Sequence, residues 1–81
     1  MAVSRRRVVA VRPLRFTTWK CGRVERAVLG AVASYLRRRP RAEWVPVEAI
    51  MAELRGRARP SEVRDAMRRL AKRGILEARY G

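Results

Sequence analysis

The chain has 81 residues, enough for one small domain, and 21 lysines and arginines against 7 acidic residues give it a net charge of +14. Hydrophobic residues make up 48% of the chain, which excludes a wholly disordered tail. No apolar run approaches the roughly 20 residues that a membrane span needs. The charge predicts a polyanionic partner and makes a small-molecule substrate a poor expectation.

Several residue types that carry chemistry are missing. The sequence has no His and only one Cys, Cys21, so it can form neither an intrachain disulfide nor a zinc cluster. It also has no glycine-rich phosphate loop. We therefore expect no catalytic site, no metal, no cofactor and no enzymatic activity. Asn and Gln are absent too, which is typical of thermophile proteins and is also produced by a biased genome.

The positive charge is concentrated near the N-terminus, where Arg5, Arg6 and Arg7 precede the apolar run Val8–Val11. We assign residues 1–21 to a basic arm containing a short strand that Pro13 ends, and residues 22–81 to the folded domain. An arginine-rich start without acids also resembles a transit peptide, but the β-branched run favours a strand.

A first helix is predicted from residue 23 to about residue 38. Its apolar stripe comprises Val24, Ala27, Val28, Ala31, Val32 and Tyr35. Thr18 is a candidate cap for a helix that begins near it, and Gly30 suggests close packing inside the helix. Leu29 and Leu36 widen the apolar face, which we expect the arm or a second subunit to cover. A homodimer is therefore expected.

Two more helices and a closing strand follow. Pro46 is predicted in the first turn of a helix that runs to about residue 54, and residues 55–59 form an arginine-rich turn. Pro60 opens a third helix that ends at Arg73, with Gly74 as the cap, before a strand over residues 75–80. The predicted fold class is mainly α with a small β-sheet (α+β), with three helices plus short strands.

The order of elements resembles a winged helix-turn-helix domain over residues 22–80. The stretches Val45–Leu54 and Pro60–Leu76 carry the resemblance, and the second has the L-x-x-x-G-I-L ending of a recognition helix that enters a wing strand. The resemblance is to a small, thermophilic, archaeal type of member with a truncated wing. The second wing strand is missing, and Val8–Val11, from this chain or a neighbour, is the candidate to complete the sheet.

The resemblance implies that the third helix, about residues 60–73, presents side chains to the DNA major groove. These predicted contacts are Ser61, Arg64, Arg68, Arg69 and Lys72. Arg55, Arg57 and Arg59 in the preceding turn, and Arg5, Arg6 and Arg7 in the arm, complete the predicted nucleic-acid site. Asp65 lies among the helix contacts, and we expect it to pair with Arg68 or Arg69, the alternative being a contact to a cytosine amine.

These features predict a double-stranded DNA-binding protein, either a transcription regulator or a chromatin-like factor, that is cytoplasmic and nucleoid-associated. Without Asn or Gln the bidentate contact to adenine cannot form, so we expect phosphate contacts to dominate and sequence preference to be modest. The alternative is a ribosomal or other RNA-binding winged-helix protein. A protein-interaction module is a further alternative. Few aromatic residues argue against a stacking surface for single strands.

Overall fold

The computed structural model describes residues 7–81, so Arg5 and Arg6 of the predicted arm lie outside the described residues. In chain order the elements are β1 (Val8–Pro13), α1 (Arg23–Arg38), β2 (Val45–Pro46), α2 (Val47–Glu53), α3 (Pro60–Lys72) and β3 (Leu76–Tyr80). The protein is a small α+β domain of three helices and a three-stranded antiparallel sheet. The predicted α+β class is confirmed.

Strand β1 lies in the middle of the sheet, whose order is β2-β1-β3. Val11 pairs with Val45 on one side and with Ala78 on the other. The strand that completes the sheet therefore comes from this chain, which decides between the two sources that the sequence left open. Pro13 is the last residue of β1, opposite Leu76, rather than the residue after it.

One hydrophobic core joins the sheet to the helices. β1 contributes Val11, and all three helices and β3 contribute to the same buried cluster. Its largest fully buried side chains are Val11, Val28, Val32, Val45, Ile50, Leu54, Val63, Met67, Leu70, Ile75 and Leu76. Because α3 packs against both α1 and β3, one of its faces is fixed toward the core and the opposite face toward solvent.

The ends of the helices differ in part from the prediction. Gly22, rather than Thr18, is the residue before α1, because the buried Glu25 carboxylate accepts a hydrogen bond from the Gly22 amide at 2.7 Å. Gly30 packs against nothing, since a Cβ added there has no atom within 4 Å. The expectation of close packing at Gly30 was wrong. Gly74 follows α3 with φ at +72°, as its predicted capping role requires.

None of the helices within residues 7–81 combines the length and the apolar character that crossing a membrane would require.

Candidate nucleic-acid interface

Helix α3 has one buried and one polar face, as its periodicity predicts. Its buried face is the stripe Val63, Ala66, Met67 and Leu70, of which none is more than 1% exposed. On the other face Ser61, Asp65, Arg68, Arg69 and Lys72 are exposed, and Arg64 is half-buried. The helix therefore presents a row of cationic and hydroxyl groups along its length, opposite its contact with the core.

The single acid on the exposed row forms the predicted pair within the helix. Arg68 Nη1 donates to Asp65 Oδ1 at 2.9 Å, across one helical turn, and both side chains are more than half exposed. An exposed pair of this kind contributes less than about 1 kcal/mol to stability. Its effect is to hold the Arg68 guanidinium near the helix surface and to offset part of its charge.

Arg69 lies on the same helix, and its exposed side chain reaches Glu25 in the first turn of α1. Its Nε lies 3.5 Å from Oε2 of Glu25, whose side chain is only 10% exposed and whose other oxygen accepts from the Gly22 amide. A buried carboxylate requires such partners. Arg69 thus joins α3 to the beginning of α1, and less of its charge is available to a ligand than that of Arg68 or Lys72.

The turn before α3 is held by the backbone and leaves its arginines exposed. The amide of Arg57 donates to the Leu54 carbonyl at 2.8 Å, and Gly56 adopts φ of +81°. The amide of Arg59 donates to Glu62 Oε1 at 2.9 Å, which starts α3. All three arginines of the turn, Arg55, Arg57 and Arg59, are exposed.

These arginines do not all face the same way. Arg55 lines a groove between β1, α2 and α3 together with Arg64 and with Arg7 from the predicted arm. This groove, which one acid, Glu48, also lines, unites three parts of the predicted site that are far apart in the sequence. Arg57 lies instead in a second groove, against α1.

The second groove is a cationic surface that the sequence analysis missed. Three arginines of α1, Arg23, Arg26 and Arg37, line it together with Arg57 and one acid, Glu53. Their spacing along α1 places them on one side of a helix, so the helical period of the basic residues was the available signal.

The C-terminal end of α3 is bound to the loop of residues 14–22 by Arg73. Its Nη2 donates to the carbonyl of Trp19 at 2.6 Å, and its Nη1 to the carbonyl of Lys20 at 3.2 Å and to Sγ of Cys21 at 3.4 Å. Arg15 Nη2 donates to the Arg73 carbonyl at 2.9 Å. No local pattern predicted these contacts, which span more than 50 residues of sequence.

Within residues 7–81 no three metal-ligating side chains come together. Comparisons with protein-family models, with curated proteins and with solved structures found no match to this chain.

Proposed function

We propose that the protein binds double-stranded DNA as a winged helix-turn-helix domain, with α3 in the major groove. The observation that carries the proposal is the polar face of α3, where the exposed Arg68 and Lys72 and the half-buried Arg64 lie opposite a fully buried stripe. A helix of this kind fits a major groove, in which arginine reaches guanine edges and both cations reach phosphates.

The arrangement around α3 supports the proposal. Helix α2 precedes α3 across the short turn, and β3 follows it directly. β1 pairs antiparallel with β3, the position that the second strand of a wing would take. In this proposal β1 therefore serves as the second strand of the wing.

Binding is proposed to depend mainly on phosphates. Arg7, Arg55 and Arg64 line one groove beside α3, and the chain as a whole carries a charge of +14. Neutralising phosphates releases counterions, so affinity falls steeply as salt rises. Such a protein suits a chromatin-like factor of the nucleoid or a transcription regulator of modest sequence preference.

A homodimer belongs to the same proposal. Between the loop of residues 14–22 and α1 lies a shallow groove to which Phe16, Leu29 and Ala33 contribute apolar surface. Phe16 is 85% exposed. A second copy bound there would bury this surface and double the number of phosphate contacts. Sedimentation of the protein with and without DNA measures this directly.

The experiment that tests the function compares two triple variants of equal charge. Arg64, Arg68 and Lys72 of α3 are changed to Ala in one, and Arg23, Arg26 and Arg37 of α1 in the other. At about 1 kcal/mol per contact, the α3 variant should bind a DNA duplex about 100-fold more weakly, with a shallower salt dependence. The α1 variant should lose clearly less affinity for the duplex.

Each result has a consequence. Equal losses in the two variants would contradict binding through α3 and indicate attraction by net charge alone. A duplex RNA of equal length, titrated in parallel, tests the alternative. Tighter binding of the RNA, with little effect of the α3 substitutions, would favour a ribosomal or other RNA-binding protein.

A further inference from the structure

An exposed tryptophan lies beside the proposed DNA-binding helix. Trp19 is 69% exposed, although a side chain of this size is usually largely buried. It borders a shallow surface that it shares with Lys20, Lys72, Arg69 and Arg73. The proposed binding of a regular duplex by α3 gives this indole no role.

The backbone that carries Trp19 is fixed in place. Arg73 binds the carbonyls of Trp19 and Lys20, as described above, and Thr17 Oγ1 accepts a hydrogen bond from the Trp19 amide at 3.2 Å. Lys20 has a φ of +56°, which is unusual for a residue other than glycine. The indole is therefore presented from a defined position, so binding does not require the loop to be ordered first.

The charge around the indole is positive. Lys20 Nζ lies over one face of the Trp19 ring, 4.6 Å from its centre, so a base would stack on the other face, and Lys72 borders the same surface. The acid among the described residues lining it is Glu25, whose carboxylate is already engaged by Gly22 and Arg69. A flat aromatic ring with cations around it suits a ligand in which a planar ring is linked to anionic groups.

We infer that Trp19 is a stacking site for an unpaired nucleobase of a nucleic-acid strand. Base–aromatic stacking occurs with every base, and the cations of Lys20 and Lys72 are placed to meet the adjoining phosphates. The inference rests on the proposed function and deepens it, because the preferred ligand becomes a duplex that continues into an unpaired strand. α3 binds the duplex, and Trp19 binds the first unpaired base.

The test uses a blunt DNA duplex and the same duplex with a short single-stranded overhang. The unaltered protein should bind the overhang duplex more tightly, and Trp19→Ala should abolish this preference, a loss of about tenfold for one stacked base. Trp19→Phe should keep most of it, because a smaller aromatic ring remains. Binding of the blunt duplex should stay the same in both variants.

Phe16→Ala is the matched control. Phe16 is 85% exposed and belongs to the same loop, but it borders α1 rather than α3. Phe16→Ala should therefore leave unchanged the ratio of the affinity for the overhang duplex to the affinity for the blunt duplex. This holds even if the substitution weakens dimer formation and lowers both affinities. An equal loss of the ratio in the Phe16 and Trp19 variants would overturn the assignment to Trp19.

Fluorescence gives an independent measurement. The chain has two tryptophans, and Trp44 lies beneath the guanidinium groups of Arg12 and Arg79, 5.0 and 4.7 Å from its ring centre. In a Trp44→Phe background the tryptophan emission comes from Trp19 alone. The overhang duplex should quench it strongly, and the blunt duplex should not.

The outcomes separate this inference from the proposed function. If the duplex binds through α3 but the overhang adds no affinity and no quenching, the stacking site is wrong and the DNA-binding proposal stands. If the α3 triple variant binds the duplex normally while a single strand still quenches Trp19, the α3 proposal fails and the stacking site stands. Quenching by an apolar peptide but by no nucleic acid would overturn the stacking site in favour of a protein partner.

Discussion

The two ends of α3 use arginine in opposite ways. At the N-terminal end, within residues 7–81, the guanidinium groups of Arg55, Arg57 and Arg59 form neither ion pairs nor hydrogen bonds with the protein. At the C-terminal end, Arg73 donates to two carbonyls and a thiol of the loop that precedes α1. A guanidinium with several donors can join backbone groups that no other side chain would reach together.

The difference shows that the net charge of +14 overstates the positive charge that is available to bind a ligand. Arg73 and Arg69 hold the domain together, and Arg12 is paired with Glu77 at 2.6 Å. The exposed arginines around the start of α3 have no such role. Substitutions at the two ends should therefore separate stability from binding.

The largest effect is expected from Arg73→Ala compared with Arg57→Ala. Removal of Arg73 deprives three acceptors of their donor, and hydrogen bonds from charged groups contribute about 1.5–3 kcal/mol, so the free energy of unfolding should fall by about 2–3 kcal/mol. Arg57→Ala should change it by less than about 0.5 kcal/mol. Urea unfolding followed by circular dichroism measures both, and equal losses would remove the distinction between the two ends.

The glycines that flank α3 should give an intermediate and nearly equal effect. Gly56 and Gly74 have φ of +81° and +72°, and a Cβ added at either meets no atom within 4 Å. Substitution by Ala therefore introduces backbone strain alone, about 1 kcal/mol at each position.

Gly30→Ala is the control for the glycines. Gly30 lies inside α1 with open space around it, and Ala is favoured in a helix by up to about 1 kcal/mol, so this variant should be more stable than the unaltered protein. Thermal unfolding of the three variants gives the comparison. A loss of stability in all three would show that packing, not backbone conformation, governs these sites.

The smallest effect on stability is expected from Asp65→Ala, between the two ends. Its exposed pair with Arg68 should contribute less than about 0.5 kcal/mol to folding. DNA affinity should rise, by about fivefold, because a negative charge near phosphates is removed and Arg68 is released. Glu43→Ala, which removes an exposed acid before β2, should change the affinity less. A loss of affinity at selected sequences would instead favour the contact of Asp65 to cytosine.

The sequence predicted α3 well because its signals are local. The apolar period of Val63, Ala66, Met67 and Leu70, the proline at its start and Gly74 just beyond its end all lie within one short stretch. Its start and its polar face were therefore predicted, and its end, predicted at Arg73, lies one residue earlier at Lys72. Pairing of Asp65 with Arg68 or Arg69 was predicted for the same reason, and the pair forms with Arg68.

What the sequence did not predict depends on distant contacts. The role of Arg73 depends on its hydrogen bond to the Trp19 carbonyl, 54 positions away. Thr18 was a plausible cap, but Glu25 binds the Gly22 amide and sets the start of α1 there. Arg55 and Arg57 line different grooves because of the path of the turn that carries them, and the composition of the turn does not predict that path.

The central position of β1 governs the order in which the domain can fold. β2 and β3 do not pair with each other, so the sheet forms only when β1 meets β3, as Arg12 and Glu77 do across 65 positions. Contacts so distant slow folding, and during synthesis β1 cannot pair with β3 until the residues between them, 65 positions from Arg12 to Glu77, have been made. A truncation that tests the basic arm must therefore end before Val8, since a deeper one would leave two bare strand edges open to aggregation.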